Sequence, residues 1–203
     1  METMDKYQSK LHEHFSQSHY LGNSQRTERL FDWITFYRRN LNRFVEHYFG
    51  LRLHLYQQII LYLMNLQPTF CMVASRATAK SYVIAIYACA RAVLYPHSQI
   101  VIASGTKGQA KLIVSEKIKN EIMRDSFTLS HEIKKIVDNQ NDVIVHFNNG
   151  STIKVVPATE NARGNRGTVM IYEEFRQILK SVIDSILSPF LIVRQVPFMK
   201  REE

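Results

Sequence analysis

Phe70-Cys71-Met72-Val73-Ala74-Ser75-Arg76-Ala77-Thr78-Ala79-Lys80-Ser81 is the stretch on which the reading of the fold turns. Its first four residues are a fully apolar run of strand length. Ala74 to Ala79 are small or polar, and Lys80 opens a helix-compatible stretch that continues to Leu94. Strand, loop and helix therefore follow in that order. From Ala74 to Ser81 the spacing is that of G-x-x-x-x-G-K-[ST], with alanine in place of both glycines. In that pattern the backbone N–H groups of the loop and of the helix N-terminus cradle phosphates. The lysine reaches the β- and γ-phosphates and the hydroxyl ligates Mg²⁺, roles that fall here to Lys80 and Ser81. Alanine is the smallest residue after glycine, so close backbone approach survives, but easy access to positive φ is lost. Read alone, the stretch also fits a small-residue turn before a core helix, with Lys80 solvated.

Outward from this stretch the chain alternates strands and helices. Upstream, Leu30, Phe31, Ile34, Tyr37, Leu41, Phe44, Val45 and Tyr48 recur at three and four, which predicts one amphipathic helix over Thr27 to Tyr48, stopped by Gly50. A second helix is predicted over His54 to Leu66, ending before Pro68. Downstream, Gln99 to Ser104 reads as a buried strand and Lys107 to Arg124 as the helix after it. Asp142 to Phe147 and Ser151 to Val156 flank Asn148-Asn149-Gly150, a hairpin turn signal because Asn and Gly tolerate positive φ. Thr168 to Tyr172 is a last apolar run, ending on Glu173-Glu174. The alternation implies an α/β fold with a mostly parallel central sheet flanked by helices, preceded by N-terminal helices. In such sheets ligands bind at the carboxyl ends of the strands. We expect a polar arm over 1–25 and one domain over 26–203.

Composition bounds the function class. With 203 residues, 45% hydrophobic and 22% charged, the chain has an ordinary globular composition and enough length to bury a core. No run is long enough to span a bilayer and the N-terminal residues lack an apolar signal core, so a cytosolic, membrane-free location is expected. Cys71 and Cys89, each in an apolar stretch, read as buried reduced thiols rather than a disulfide framework or zinc site. The eight His residues show no ligand spacing beyond His12 and His14 in the polar arm, and no metal site is expected there. A net charge of +8 and a pI near 9.5 favour a polyanionic partner.

The phosphate-loop reading gains from Val169-Met170-Ile171-Tyr172-Glu173-Glu174, an apolar strand ending in two carboxylates. Glu173 would hold Mg²⁺ and Glu174 would polarise an attacking water. Two acids after a strand are also an ordinary solvated strand end. Together with the loop they give the fold class of a P-loop NTPase and imply ATP and Mg²⁺ as cofactors.

At this point the residues carry a family resemblance. Ser75-Arg76-Ala77-Thr78-Ala79-Lys80-Ser81 resembles the deviant Walker A loop of tailed-phage large terminases, which has an Arg early in the loop and lacks the first glycine. Glu173-Glu174-Phe175-Arg176 resembles that family's acidic Walker B end followed by an aromatic residue. Leu55-Tyr56-Gln57 is similar to its adenine motif, in which a Gln reads the adenine edge beside an aromatic side chain. Ile102-Ala103-Ser104 to Ala110, and Arg163-Gly164-Asn165-Arg166-Gly167, sit where the family has its second strand and an Arg-Gly segment. The resemblance runs from about Arg43 to Phe198.

It implies the ATPase part of a DNA-packaging motor, in which ATP hydrolysis drives double-stranded DNA into a capsid. Arg76 would stabilise charge on the γ-phosphate in cis. Tyr56, Gln57, and Ser75 to Ser81 would bind nucleotide. Arg163 and Arg166 would touch phosphates of ATP or DNA. The implied partners are a portal protein, a small terminase subunit and ring neighbours, in the cytoplasm of a host cell. Ala79 where the family keeps Gly, and Glu173 where it has Asp, put hydrolysis in doubt more than binding, because Mg²⁺ demands strict geometry. Neither a coupling motif nor a nuclease domain follows, and a fragment, a split-gene product or a C-terminally truncated chain is expected. A helicase-like DNA translocase and a non-catalytic DNA-binding module with a degenerate loop remain as alternatives.

Overall fold

The computed structural model describes residues 23–75, 78–105, 107–139 and 143–192. Most of the arm expected over 1–25 lies outside them, as do Arg76, Ala77 and Asp142. Only Asn23 to Gln25 of the arm are described, and they open a helix.

The N-terminal helical layer comprises α1 (Asn23–Arg39), α2 (Leu41–His47) and α3 (Leu55–Leu66). The expected single helix over Thr27 to Tyr48 is in fact two, broken at Asn40, which sits at φ −124° and ψ 64°. The break has a local cause. Both the backbone N–H and the side-chain amide of Asn40 donate to the Phe36 carbonyl, at 3.0 and 2.9 Å. An Asn side chain that satisfies the backbone itself offers an alternative to the helical ladder. Around the break Trp33, Tyr37, Phe44 and Tyr48 pack edge-on and stacked, with ring centroids 4.7 to 6.0 Å apart.

Among the described residues the sheet has five strands: β1 (Gln99–Ser104), β2 (Ile133–Asp138), β3 (Val143–Phe147), β4 (Thr152–Pro157) and β5 (Val169–Glu173), in the order β2-β3-β4-β1-β5. β1 runs parallel to β4 and β5, and β3 is antiparallel to both β2 and β4. The alternation along β1 shows that both faces of the parallel part are covered. Ile100 and Ile102 join the core beneath the helical layer, whereas Val101 and Ala103 join a second core with Val156, Ile178, Leu187 and Phe190.

Between β1 and β2 run α5 (Lys107–Leu112), a π-helical stretch Ile113–Ile122, α6 (Met123–Asp125) and α7 (Phe127–Glu132). The chain after β5 forms short helical turns and α8 (Lys180–Val182).

The helix predicted from Lys80 is α4 (Lys80–Leu94), and the hairpin turns through Gly150 at φ +81°. That hairpin also caps α4, since the Asn149 side chain donates to the Ala92 and Val93 carbonyls at 2.8 and 3.1 Å.

Phe70 to Val73 depart from the strand expectation. Both sides of β1 are taken by β4 and β5, and no described strand forms a ladder with this segment. A strand exists only where its backbone groups find a neighbour. Val73 is 95% exposed, and Cys71, expected to be buried, is exposed; Cys89 is buried. Among the described residues no helix is long and apolar enough to cross a membrane.

Candidate functional site

The three parallel strands end level: Ser104 stands opposite both Pro157 of β4 and Glu173 of β5. At this carboxyl edge the start of α4 meets the end of β5, and the contact is direct. Ser81 Oγ donates to Glu173 Oε1 at 2.8 Å. A cavity of about 590 Å³ opens here, lined by Thr78 to Tyr82, Glu173 and Glu174, together with Lys117, Glu121, Arg124 and Asp125.

Two left-handed residues shape the cavity. Ala79 takes φ +53° and ψ +32° immediately before the first turn of α4, the conformation that the glycine of the motif adopts without penalty. The alanine therefore keeps the turn, at an energetic cost. Glu174 takes φ +52° directly after β5, where the chain swings into the short helical turn Phe175–Gln177. Strained positions of this kind cluster where function requires a fixed geometry.

The loop is held from within. Lys80 Nζ donates to the carbonyls of Ala74 and Ser75 at 2.8 and 2.7 Å, and Thr78 Oγ1 donates to the Ser75 carbonyl at 2.8 Å. One ammonium thus gathers the loop around the helix N-terminus. Burial pushes the Glu173 carboxyl above the usual carboxylate range, and the charge of Glu174 adds to this. The Ser81 hydrogen bond and the charge of Lys80 act the other way.

Among the described residues no group of three or more His, Cys, Asp or Glu side chains is arranged to hold a metal. The donors available are the Ser81 hydroxyl and the Glu173 carboxylate. Such a pair of hard oxygens could hold Mg²⁺, which takes only one or two protein ligands and fills its octahedron with water and phosphate oxygens.

Not every residue singled out in the sequence comes to this cavity. Tyr56 and Gln57 do not line it. Gln57 is only 5% exposed, and its side-chain oxygen accepts from the His54 backbone N–H at 2.9 Å, capping α3. Tyr56 is half-exposed and stacks on His54 at 5.8 Å. Arg163 and Arg166 are exposed in the loop before β5 and do not line the cavity either. Ser75 is exposed at the loop start. The lining residues from Lys117 to Asp125 went unread in the sequence because their charges look like the solvated face of an amphipathic helix.

Comparison with known proteins places this geometry. No curated protein matches the chain. Among solved structures, the large terminase ATPase domain of Thermus phage P74-26 superposes with a TM-score of 0.57 at 20% identity, over 75% of this chain and 65% of that one. An arginine-to-alanine mutant of the same domain superposes with a TM-score of 0.57 at 21% identity, over 77% and 66%. The chain therefore spans just under two thirds of the length of these relatives, and the likeness establishes a shared P-loop fold. The family model "Terminase large subunit, T4likevirus-type, N-terminal" matches residues 71–183, more than half of the chain and every element that builds the cavity from α4 to β5. The chain belongs to the T4likevirus-type terminase large subunit N-terminal family.

Proposed function

We propose that this chain binds and hydrolyses ATP with Mg²⁺ at the cavity between α4 and β5, and that the hydrolysis drives double-stranded DNA into a phage capsid. Family membership supports a role in phage DNA packaging. The observation that carries the chemistry is the 2.8 Å bond from Ser81 to Glu173, because it joins the end of the small-residue loop to the end of an acidic strand beside Glu174.

In this reading the backbone N–H groups of the loop and of the first turn of α4 bind the phosphates. Lys80 leaves the loop carbonyls to contact the β- and γ-phosphates. Ser81 and Glu173 would hold Mg²⁺, which would supply charge neutralisation at the phosphates. Glu174, fixed by its left-handed backbone, accepts a hydrogen bond from the attacking water and orients it toward the γ-phosphorus. Arg76 neutralises the charge that develops there. Tyr56 and Gln57 would meet the base only if Gln57 exchanged its bond to His54 for one to adenine.

As a terminase large subunit the chain would act on double-stranded DNA with a portal protein, a small terminase subunit and ring neighbours, in the cytoplasm of an infected cell. The alternative of a degenerate, non-catalytic loop is disfavoured by Ala79, which holds the turn that a working loop needs.

Single-turnover hydrolysis separates the roles. Glu174→Gln should bind Mg²⁺-ATP as the wild type does and lose turnover, since an amide keeps the shape but is a poor acceptor for the water's proton. Wild-type turnover in that variant would remove Glu174 from the chemistry.

A further inference from the structure

The cavity at the loop adjoins a second, smaller one of about 210 Å³ lined in part by the π-helical stretch, and among the described residues four line both: Ser81, Glu173, Glu174 and Lys117. Three of these are the proposed metal-holding and water-orienting groups. The fourth is a cation on a separate element.

Lys117 lies on the π-helical stretch. Val114, Ile118 and Ile122 of that stretch are all fully buried, and Lys117 and Glu121, each preceding one of them, line the cavity. π segments are rare and concentrate at functional positions. Lys117 Nζ is held by Glu121 Oε1 at 2.5 Å, and a parallel pair, Arg124 to Asp125 at 2.9 Å, stands one turn farther on. The wall thus offers two cations to the cavity, each balanced by its own carboxylate.

We propose that Lys117 is a second polyphosphate ligand, reaching the terminal phosphate from a different element than Lys80, with Glu121 as its holding partner. The inference rests on the nucleotide reading of the cavity. It has a direct consequence for specificity. A cation that meets the terminal phosphate beside Glu174, where both cavities meet, distinguishes ATP from ADP. Transfer of Lys117 from Glu121 to the terminal phosphate also couples nucleotide state to the π-helical wall.

The test is titration of the full chain with fluorescent ATP and ADP analogues in Mg²⁺, for the wild type, Lys117→Ala, Lys117→Arg, Glu121→Gln and Lys80→Ala. Lys117→Ala should lose about tenfold in ATP affinity, the scale of one charge-assisted contact, and leave ADP affinity unchanged. Lys117→Arg should restore the preference in part. Glu121→Gln should tighten ATP alone, because the holding partner is weakened. A purely structural role for Lys117 would lower the melting temperature and weaken both nucleotides alike, and that result overturns the proposal. If Lys80→Ala weakens binding but Lys117→Ala leaves the ATP-to-ADP ratio as in the wild type, Lys117 is not a ligand and the cavity reading stands. If neither substitution changes binding, both fall together.

Discussion

Replacing Ala79 by glycine should make this protein more stable and a better nucleotide binder, although it removes a methyl group from the start of a helix. Ala79 sits at φ +53° and ψ +32°, where its Cβ crowds the backbone. An L-residue in the left-handed region costs roughly 1–2 kcal/mol. Glycine escapes that cost but loses more freedom on folding, which returns about 0.4–1 kcal/mol to the unfolded chain. The difference leaves the glycine variant about 0.5–1 kcal/mol more stable. For a domain of this size that is a rise of about 1–4 °C in melting temperature. Thermal unfolding followed by circular dichroism at pH 7 reads it directly. Ala79→Val should move the other way and further, because a β-branched side chain tolerates positive φ worse than alanine. Titration with Mg²⁺-ATP should show the glycine variant binding more tightly, since less strain opposes the loop shape. A glycine variant that melts below the wild type, or a valine variant that melts with it, would refute a left-handed Ala79.

Three further outcomes follow from the same geometry. Burial raises the Glu173 pKa above its unfolded value, so this group favours the fold fully below the unfolded pKa and that contribution is lost as pH rises through the folded pKa. Glu173→Gln should therefore be more stable than the wild type at neutral pH, with the gap closing as pH falls through the raised value; urea unfolding at several pH values measures this. Gly150→Ala should destabilise by roughly 1–3 kcal/mol, because Gly150 is at φ +81° and an added Cβ would stand 2.5 Å from His97 Nδ1, a shift that melting temperature records. With a net charge of +8, binding to double-stranded DNA should weaken steeply between low and physiological salt as counterions are released, and an affinity that stays flat in a filter or anisotropy assay would contradict an electrostatic interface.

What could be read in the sequence, and what could not, divides by the range of the interactions. α4, β1, β5 and the Asn148-Asn149-Gly150 hairpin were legible because local pattern and turn chemistry agree with the tertiary structure there. Phe70 to Val73 failed as a strand because pairing is a matter of neighbours, and the positions beside β1 belong to β4 and β5. β2 and α7 went unread, and the pattern of β2 explains this: Lys134 and Lys135 interrupt the alternation expected of a strand with one buried face. Asn40 broke a helix whose apolar periodicity runs straight through it.

Of the candidate site, Lys80, Ser81, Glu173 and Glu174 line one cavity, since α4 begins and β5 ends at the same sheet edge. The adenine reading of Gln57 rested on a motif that is also a helix cap, and the bond to His54 is the one formed. Lys117 had no sequence signal. It lies on a π-helical stretch that no residue pattern announces.

The central claim is that the loop from Ala74 to Ser81 holds the phosphates of ATP. Calorimetric titration of the wild type and Lys80→Ala with ATP, with and without Mg²⁺, tests it most directly. The wild type should bind, more tightly with Mg²⁺ than without. Lys80→Ala should lose at least about tenfold, as expected when a charge-assisted contact to phosphate is removed. Equal affinity in the two proteins would mean that Lys80 does no more than hold the loop carbonyls of Ala74 and Ser75, and the loop would not be a phosphate site.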